Sequence, residues 1–317
     1  MTLRLELCDD DESRRAKAAI RLAADPNGAK SVDEDVYDAS LDPAGESVIA
    51  WDDERAVGAG EVCRMAISSD TYVRLWARLW VVPERRREGI ATQLLAHLGR
   101  HAGERGKSGF ESEVYTDDPS GLAFALARGF AEDWREQVLR LPLAGREPPA
   151  LAARDGVRVR MLDLARESLA GVYAVAREAL ADVPGGTMPM TAGDLGWWRR
   201  VWIDTPAARA GCLVAAEVDG TTAGYALLTV SPARPGVGLH AITAVARTAR
   251  GRGIAGALKR AQIAWAIEQG LDELDTHNEA TNEAMLAVNL RLGYEPVCDL
   301  VGIVSDDFAT TMRKWTA

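Results

Sequence analysis

No stretch of this 317-residue sequence holds eighteen consecutive apolar residues, so no membrane span is expected. Cysteine is scarce. Cys8, Cys63, Cys212 and Cys298 are scattered and form no Cys-x-x-Cys pair, which argues against a disulfide scaffold or a zinc framework. Histidine is equally thin: His97 and His101 fall four apart on one helix face, but no acidic or cysteine partner has ligand spacing, and no metal is expected. An excess of positive charge is missing too. The net charge of −10 argues against nucleic acid as the main partner and suits a cationic small substrate or peptide amine. The opening "MTLRLELCDDDESRR" has acids where a signal peptide needs its apolar stretch, so a cytoplasmic location is expected.

What is present is an ordinary globular composition, 47% apolar and 26% charged, over a length comfortable for two cores. The chain also repeats itself. "PERRREGIATQLLAHL" and "RTARGRGIAGALKRAQ" share Arg-x-x-Gly-x-Ala, with Gly89 and Gly253 164 positions apart. The same offset links Gly60 with Gly224, Gly106 with Gly270 and Gly129 with Gly293, and it predicts a gap-free duplication between these limits. Paired prolines and alanines in "LAGREPPALAARDG" interrupt the periodicity, giving domains at 1–146 and 147–317. Each repeats one order of elements: strand, helical region, strand pair, strand, motif helix, strand, helix, closing strand. The expected fold class is therefore α/β of the mixed α+β kind, a mostly antiparallel mixed sheet flanked by helices, twice over.

Physics gives the motif a purpose. Gly251 and Gly253 let the backbone approach a ligand closely, and the first helical turn behind them offers unsatisfied N–H groups backed by the helix dipole. Arg250 and Arg252 add charge, so the whole reads as a pyrophosphate cradle. It is not a Walker loop, because no Gly-Lys-Ser/Thr follows. Gly251, Gly253 and Gly256 meet the dinucleotide fingerprint only in part, and the would-be ribose partner, Asp272, lies in a turn.

These motifs resemble the GNAT superfamily of acetyl-CoA-dependent N-acyltransferases, whose central motif is Arg/Gln-x-x-Gly-x-Gly/Ala. The resemblance covers nearly the whole chain as a tandem pair, and the layout is similar to that of proteins related to mycothiol synthase. It implies that Arg250, Gly251, Arg252, Gly253, Ile254 and Ala255 hold the CoA pyrophosphate, with Thr243, Val245 and Ala246 aligning the pantetheine arm. Asn282 belongs to the second motif. In the first copy the same roles fall on Val81, Val82, Arg86, Arg87, Glu88, Gly89, Ile90 and Ala91. A backbone N–H of the strand would polarise the thioester carbonyl.

The copies differ beyond the glycines. By resemblance an asparagine is followed seven residues later by a tyrosine that protonates the leaving thiolate. The second copy offers Asn282 and Asn289, the first Asp118 and Ala125, so catalysis is expected in the second domain. Asn289 has no titratable proton and is assigned to orienting a water or the sulfur. Tyr225 and Tyr294 are alternatives as acid, or core residues. For the base, His277 on the strand after the motif helix is the first candidate, and its counterpart in domain one is Glu113; His240 and Asp275 are weaker candidates. "ALADVPGGTMPMTAGDLGWWRRVWIDTP" is read as a lid, with Trp197, Trp198 and Trp202 lining the acceptor site or filling core, and Asp182 and Asp194 as amine partners.

The reaction expected is acetyl transfer from acetyl-CoA to a primary amine of a small molecule or peptide, by direct attack in a ternary complex. The alternatives are an acyl-CoA-binding sensor or scaffold, and acetylation of an amino-sugar conjugate. The protein is expected to act as a monomer or homodimer.

Overall fold

The computed structural model describes residues 3–69, 71–150, 156–183 and 186–307. Residues 151–155 of the expected junction, and 184–185 of the expected lid, lie outside the described residues. Two compact units emerge: Met1–Trp134 with Gly186–Pro189 and Val301–Ala317, and Arg135–Gly185 with Met190–Leu300.

The first unit opens with β1 (Arg4–Leu7) and α1 (Asp11–Ala24). Asp10 caps α1 by accepting from the Ser13 N–H, and Ser13 bonds back to the Asp10 N–H. A second capping box, Ser31 with Glu34, starts α2 (Val32–Ala39). The antiparallel strands β2 (Glu46–Asp52), β3 (Arg55–Cys63) and β4 (Arg74–Val81) follow, then α3 (Ile90–Glu104), β5 (Gly109–Tyr115) and α4 (Pro119–Ala127). The α3 residues Ile90, Leu94, Leu95 and Leu98 are buried against Val57 and Ala59 of β3 in one apolar core. Each such leucine contributes about 1.5–3 kcal/mol by leaving water. β4 pairs parallel with β5 over only three positions, Arg74 to Trp76 against Gly109 to Glu111, and beyond them the strands part.

β6 (Ala131–Pro142) carries the chain across the division at Trp134/Arg135, and its residues 136–142 pair with β11 inside the second unit. The second unit continues with β7 (Val157–Met161), α5 (Ala170–Leu180), the short helices α6 (Leu195–Trp198) and α7 (Pro206–Arg209), β8 (Cys212–Val218), β9 (Thr221–Val230), β10 (Val237–Val245), α8 (Ile254–Glu268), β11 (Glu273–Glu279) and α9 (Glu283–Arg291). Its sheet runs β7-β8-β9-β10-β11-β6, antiparallel except between β10 and β11. β12 (Glu295–Ser305) ends the chain's regular structure, and its last residues lie in the first unit, where a Cβ on Gly109 would meet the Ser305 carbonyl oxygen at 2.1 Å.

Three of the four glycine pairs are equivalent: Gly89 and Gly253, Gly106 and Gly270, and Gly129 and Gly293 all have positive φ at matching helix ends. The fourth pair is corrected. Gly224 lies opposite Val245, and its counterpart opposite Val81 is Gly58, not Gly60. A Cβ on Gly58 would meet Ile90 Cγ2 at 2.8 Å, and one on Gly224 would meet Ile254 Cγ2 at 3.1 Å. Both positions are glycine because the motif helix lies directly on the strand there. The repeat therefore slips by two residues upstream of the motif, across connections of unequal length, 64–73 and 231–236. β10 also carries a bulge between His240 and Ile242, for which the β3–β4 pairing has no counterpart.

Candidate active site

The two cradles share one backbone path. A single 3-10 turn (Pro83–Arg85; Arg247–Ala249) leads to an extended arginine, Arg86 or Arg250. A left-handed residue follows, Arg87 at φ +69° or Gly251 at φ +75°, and then a left-handed glycine as N-cap, Gly89 at φ +81° or Gly253 at φ +73°. No side chain caps α3 or α8, whereas Asp10, Ser31, Asp118 and Asn282 cap α1, α2, α4 and α9. Among the described residues nothing lies within 4 Å of where a Cβ on Gly89 or Gly251 would sit. The first-turn donors thus face open space, an arrangement that takes an anion.

In the first unit this space is a cavity of about 810 Å³. It fills the gap left where β4 and β5 part, with Ala77 to Val81 on one wall and Ser112 to Tyr115 on the other, and it reaches the cradle at Arg86, Arg87 and Gly89. Near the point of parting, Arg78 of β4 donates to Glu113 of β5 at 3.2 Å, so this expected base lines the cavity beside a guanidinium. Tyr115, two residues on, also lines it. Sequence reading missed Tyr115 although strand alternation puts it on the face of Glu113. β10 and β11 of the second unit separate similarly, pairing only from Val237 to His240 against Glu273 to Thr276, with Thr243 beyond that point carrying a buried, unpartnered hydroxyl.

Several expected phosphate and pantetheine contacts are spent inside the protein. The N–H groups of Val82 and Ala246 donate to Val57 and Ala223, closing the sheet. Arg86 Nε and Arg250 Nε reach back to the carbonyls of Val81 and Val245, and Glu88 accepts from Arg85. Each motif arginine also has a carboxylate. Arg86 meets Asp118 at 2.5 Å, which offsets the acid at the asparagine position. Although burial opposes it, the contacts of Asp118 with Ser120 and Arg86 hold its carboxyl below the usual range. In the second unit Arg250 (2.5 Å) and Arg247 converge on Asp182, and Glu178 accepts the Arg247 N–H, so the end of α5 is fastened to the cradle. The hydrogen bonds from the two guanidiniums hold Asp182 well below the carboxylate range. Asp182 is thus a partner of the cradle rather than of an amine, and Asp194 is the N-cap of α6.

The other second-unit candidates lie mostly in the interior. Asn289 is fully buried and accepts from Lys259 Nζ at 2.7 Å, which places it away from solvent. Asn282 accepts the Met285 N–H as the cap of α9. His240 is buried between Gln262 (2.8 Å) and Tyr294 (2.5 Å), and burial, aided by Lys259, keeps its ring neutral. Asp275 is held by Arg140 and Arg234. Tyr225 is buried edge-on to Trp198, which also packs on Tyr173; Trp202 packs on the same cluster, so the core reading applies to them. His277 remains half-exposed on β11, its Nδ1 3.8 Å from a Glu136 carboxylate oxygen. Among the described residues no group of three or more His, Cys, Asp or Glu could hold a metal, and no helix is long and apolar enough to cross a membrane.

The polar core of the second unit makes a testable exception to close packing by apolar groups. Lys259 donates to Thr276 and Asn289, no carboxylate among the described residues forms an ion pair with it, and burial pushes its pKa down to about 7. The positions 164 residues earlier are Leu95, Ser112 and Ala125. A lysine whose folded pKa lies below its unfolded one costs stability in full below the folded value, and the cost fades as pH rises towards the unfolded value near 10.4. Chemical unfolding should therefore give a higher midpoint at pH 9.5 than at pH 6.5, and Lys259→Leu should flatten that rise. A wild-type midpoint that does not move between these pH values would refute the assignment.

Comparison with known proteins fits this geometry. The family model described as "Acetyltransferase (GNAT) family" matches residues 15–130 and again 178–294. The chain is 26% identical over 257 residues to the mycothiol acetyltransferase of Amycolatopsis mediterranei, covering 79% of this chain and 81% of that one. It is 27% identical over 237 residues to the mycothiol acetyltransferase of Saccharomonospora viridis, covering 73% and 74%. Among solved structures, a tandem GNAT protein from the clavulanic acid biosynthesis pathway superposes with a TM-score of 0.78 at 22% identity, covering 96% of this chain and 98% of that one. A GCN5-related N-acetyltransferase from Sphaerobacter thermophilus gives 0.71 at 19% identity, covering 96% and 95%.

Proposed function

Because the chain belongs to the acetyltransferase (GNAT) family, with two such domains in tandem, we propose that it transfers an acetyl group from acetyl-CoA to a primary amine by direct attack in a ternary complex. The observation that carries this is the first unit's cavity, which joins an uncapped, left-handed helix start to the gap between two parting parallel strands. Such a space suits a pyrophosphate at one end and an extended thioester arm along exposed strand edges. The ranking of the two units changes accordingly. The sequence favoured the second, but its Asn289 is interior and the described cavity opens on the cradle of the first, so we assign the acetyl-CoA site that supports turnover to the first unit.

In that site the amine nitrogen forms its bond to the acetyl carbon, the carbon–sulfur bond breaks, and CoA leaves as a thiolate. Thiolate is a tolerable leaving group, so the lack of a tyrosine at Ala125 does not forbid the step. Glu113, at the cavity wall, is assigned the proton lost by the amine. Glu113→Gln is expected to lower turnover about a hundredfold while leaving acetyl-CoA binding unchanged. The acceptor is an amine of a small molecule or peptide, and the relatives named for mycothiol make an amino-sugar conjugate the first to try.

A second reading, an acyl-CoA-binding sensor, is favoured by Ala125 and by the buried Asn289, since neither supplies an acid. CoA release measured against a panel of polyamines, amino sugars and peptide N-termini separates the two. If no amine raises release above background while acetyl-CoA still binds, transfer is wrong and the sensor reading stands.

A further inference from the structure

Resting on the acetyl-CoA reading, we propose that Arg87, Arg128 and Thr92 of the first unit form a recognition site for a phosphomonoester, the 3′-phosphate of coenzyme A, so that this cradle distinguishes CoA from its 3′-dephospho form. All three residues line the cavity. The first observation is a backbone one. Arg87 holds φ +69°, a left-handed conformation that costs a residue with a Cβ about 1–2 kcal/mol. The second copy makes the same bend with Gly251 at φ +75° and avoids that cost. An arginine kept at a position built for glycine is explained by what its side chain does.

The second observation is the fixing of Arg128. Its guanidinium lies 3.6 Å over the Phe124 ring centroid, and it donates to the Phe124 carbonyl (3.4 Å) and to the Thr92 hydroxyl. A rotor-rich arginine is thereby held in a single arrangement on the cavity wall against a threonine in the first turn of α3. The third observation is proximity. Burial, and next to it the Arg87 guanidinium, make Arg128 harder to protonate than an ordinary arginine. Two mutually repelling cations facing one cavity are relieved by a dianion between them, and a phosphomonoester presents three acceptor oxygens suited to the planar guanidinium fork. None of this set recurs in the second copy, where positions 251, 256, 288 and 292 hold Gly251, Gly256, Val288 and Leu292.

Coenzyme A carries its pyrophosphate and its 3′-phosphate on one nucleotide. A site at the end of α4 therefore complements the cradle at the start of α3 instead of competing with it. The shared chemistry is that of a phosphate dianion, and using the dephospho form isolates its source as the 3′ position.

The test is calorimetric titration of the full chain with acetyl-CoA and with 3′-dephospho-acetyl-CoA. Wild type is expected to bind acetyl-CoA about tenfold more tightly or better. Arg128→Leu, the residue of the sister copy, is expected to bring that ratio towards one while the affinity for the dephospho form stays within about twofold, and Arg87→Gly, likewise the sister residue, is expected to lower the ratio as well. Arg87→Gly is also expected to raise the melting temperature, because it relieves the left-handed strain. This keeps the test informative if Arg128→Leu folds poorly. Equal wild-type affinity for the two ligands overturns the inference alone. Variants that weaken both ligands alike overturn it in favour of a purely structural role. Failure of both ligands to bind overturns the acetyl-CoA reading and the inference with it.

Discussion

Gly89→Glu is expected to weaken acetyl-CoA binding in the first unit by roughly a hundredfold or more and to abolish acetyl-CoA turnover, with the fold retained. Strain and charge act separately at this position. Nothing lies within 4 Å of a Cβ at this position, so the substitution meets no steric obstacle. A side chain at φ +81° costs about 1–2 kcal/mol, and Gly89→Ala carries that cost alone. Glutamate adds a carboxylate at the mouth of a concavity whose N–H donors face a polyanion. Two unit charges about 4 Å apart at an effective dielectric constant of about 20 repel by about 4 kcal/mol. The electrostatic effect wins, so Gly89→Ala should lower affinity no more than about tenfold and Gly89→Glu far more. Gly253→Glu should leave the turnover of the first unit in place. Calorimetry on the three variants, with CoA release alongside, decides the matter. Turnover lost in Gly253→Glu and kept in Gly89→Glu would return the chemistry to the second unit.

The duplication was legible because left-handed glycines at helix ends have no ready substitute, and three such pairs keep their spacing. Gly60 misled for the opposite reason. A strand glycine leaves no local signature, and a slip of two residues keeps the same face of the sheet, so the register opposite Val81 and the contact of Gly58 with Ile90 are needed to identify the true partner. The cradle could be read from Arg-x-x-Gly-x-Ala, but the carboxylates that engage its arginines come from far along the chain. Asp118 is 32 residues from Arg86, and Asp182 is 68 from Arg250. Asn289 looked like a site residue because its position in a motif was known and its burial was not. What buries it is Lys259, where α8, β11 and α9 meet, and no local periodicity announces such a meeting. Glu113 could be found only as the image of His277. That it faces an ion-pairing arginine across a parting of strands is a fact of register.

The same cross-strand pair has been solved in opposite ways in the two units, and this sets the second large prediction. Glu61 and Arg78 oppose each other on β3 and β4, and the matching pair on β9 and β10 is Leu227 and Ile242. Glu61 lies 2.5 Å from Lys17 Nζ, 3.3 Å from Arg78 and 3.9 Å from Arg21. Asp35 completes the set against Lys17 and Arg21, all with side chains buried or nearly so. Removing Glu61 alone strands these cations with too little negative charge, so Glu61→Leu is expected to cost about 3–5 kcal/mol. Glu61→Leu combined with Arg78→Ile, which installs the second unit's pair, should cost less than the single change because one stranded cation goes with the carboxylate.

Acid should act on the same group. Burial alone would raise the pKa of Glu61, but Lys17, Arg21 and Arg78 outweigh it and hold the carboxyl well below its usual range. Its stabilisation is thus fully present above the unfolded value near 4.3 and is lost as pH falls towards the depressed folded one. Asp35 runs the other way, its pKa raised chiefly by burial, and softens the loss. Unfolding midpoints at pH 7 and pH 3.5 should fall steeply in wild type and less steeply in Glu61→Leu. A single variant as stable as wild type, or a double variant worse than the single, would show that these buried charges are not coupled as their distances imply.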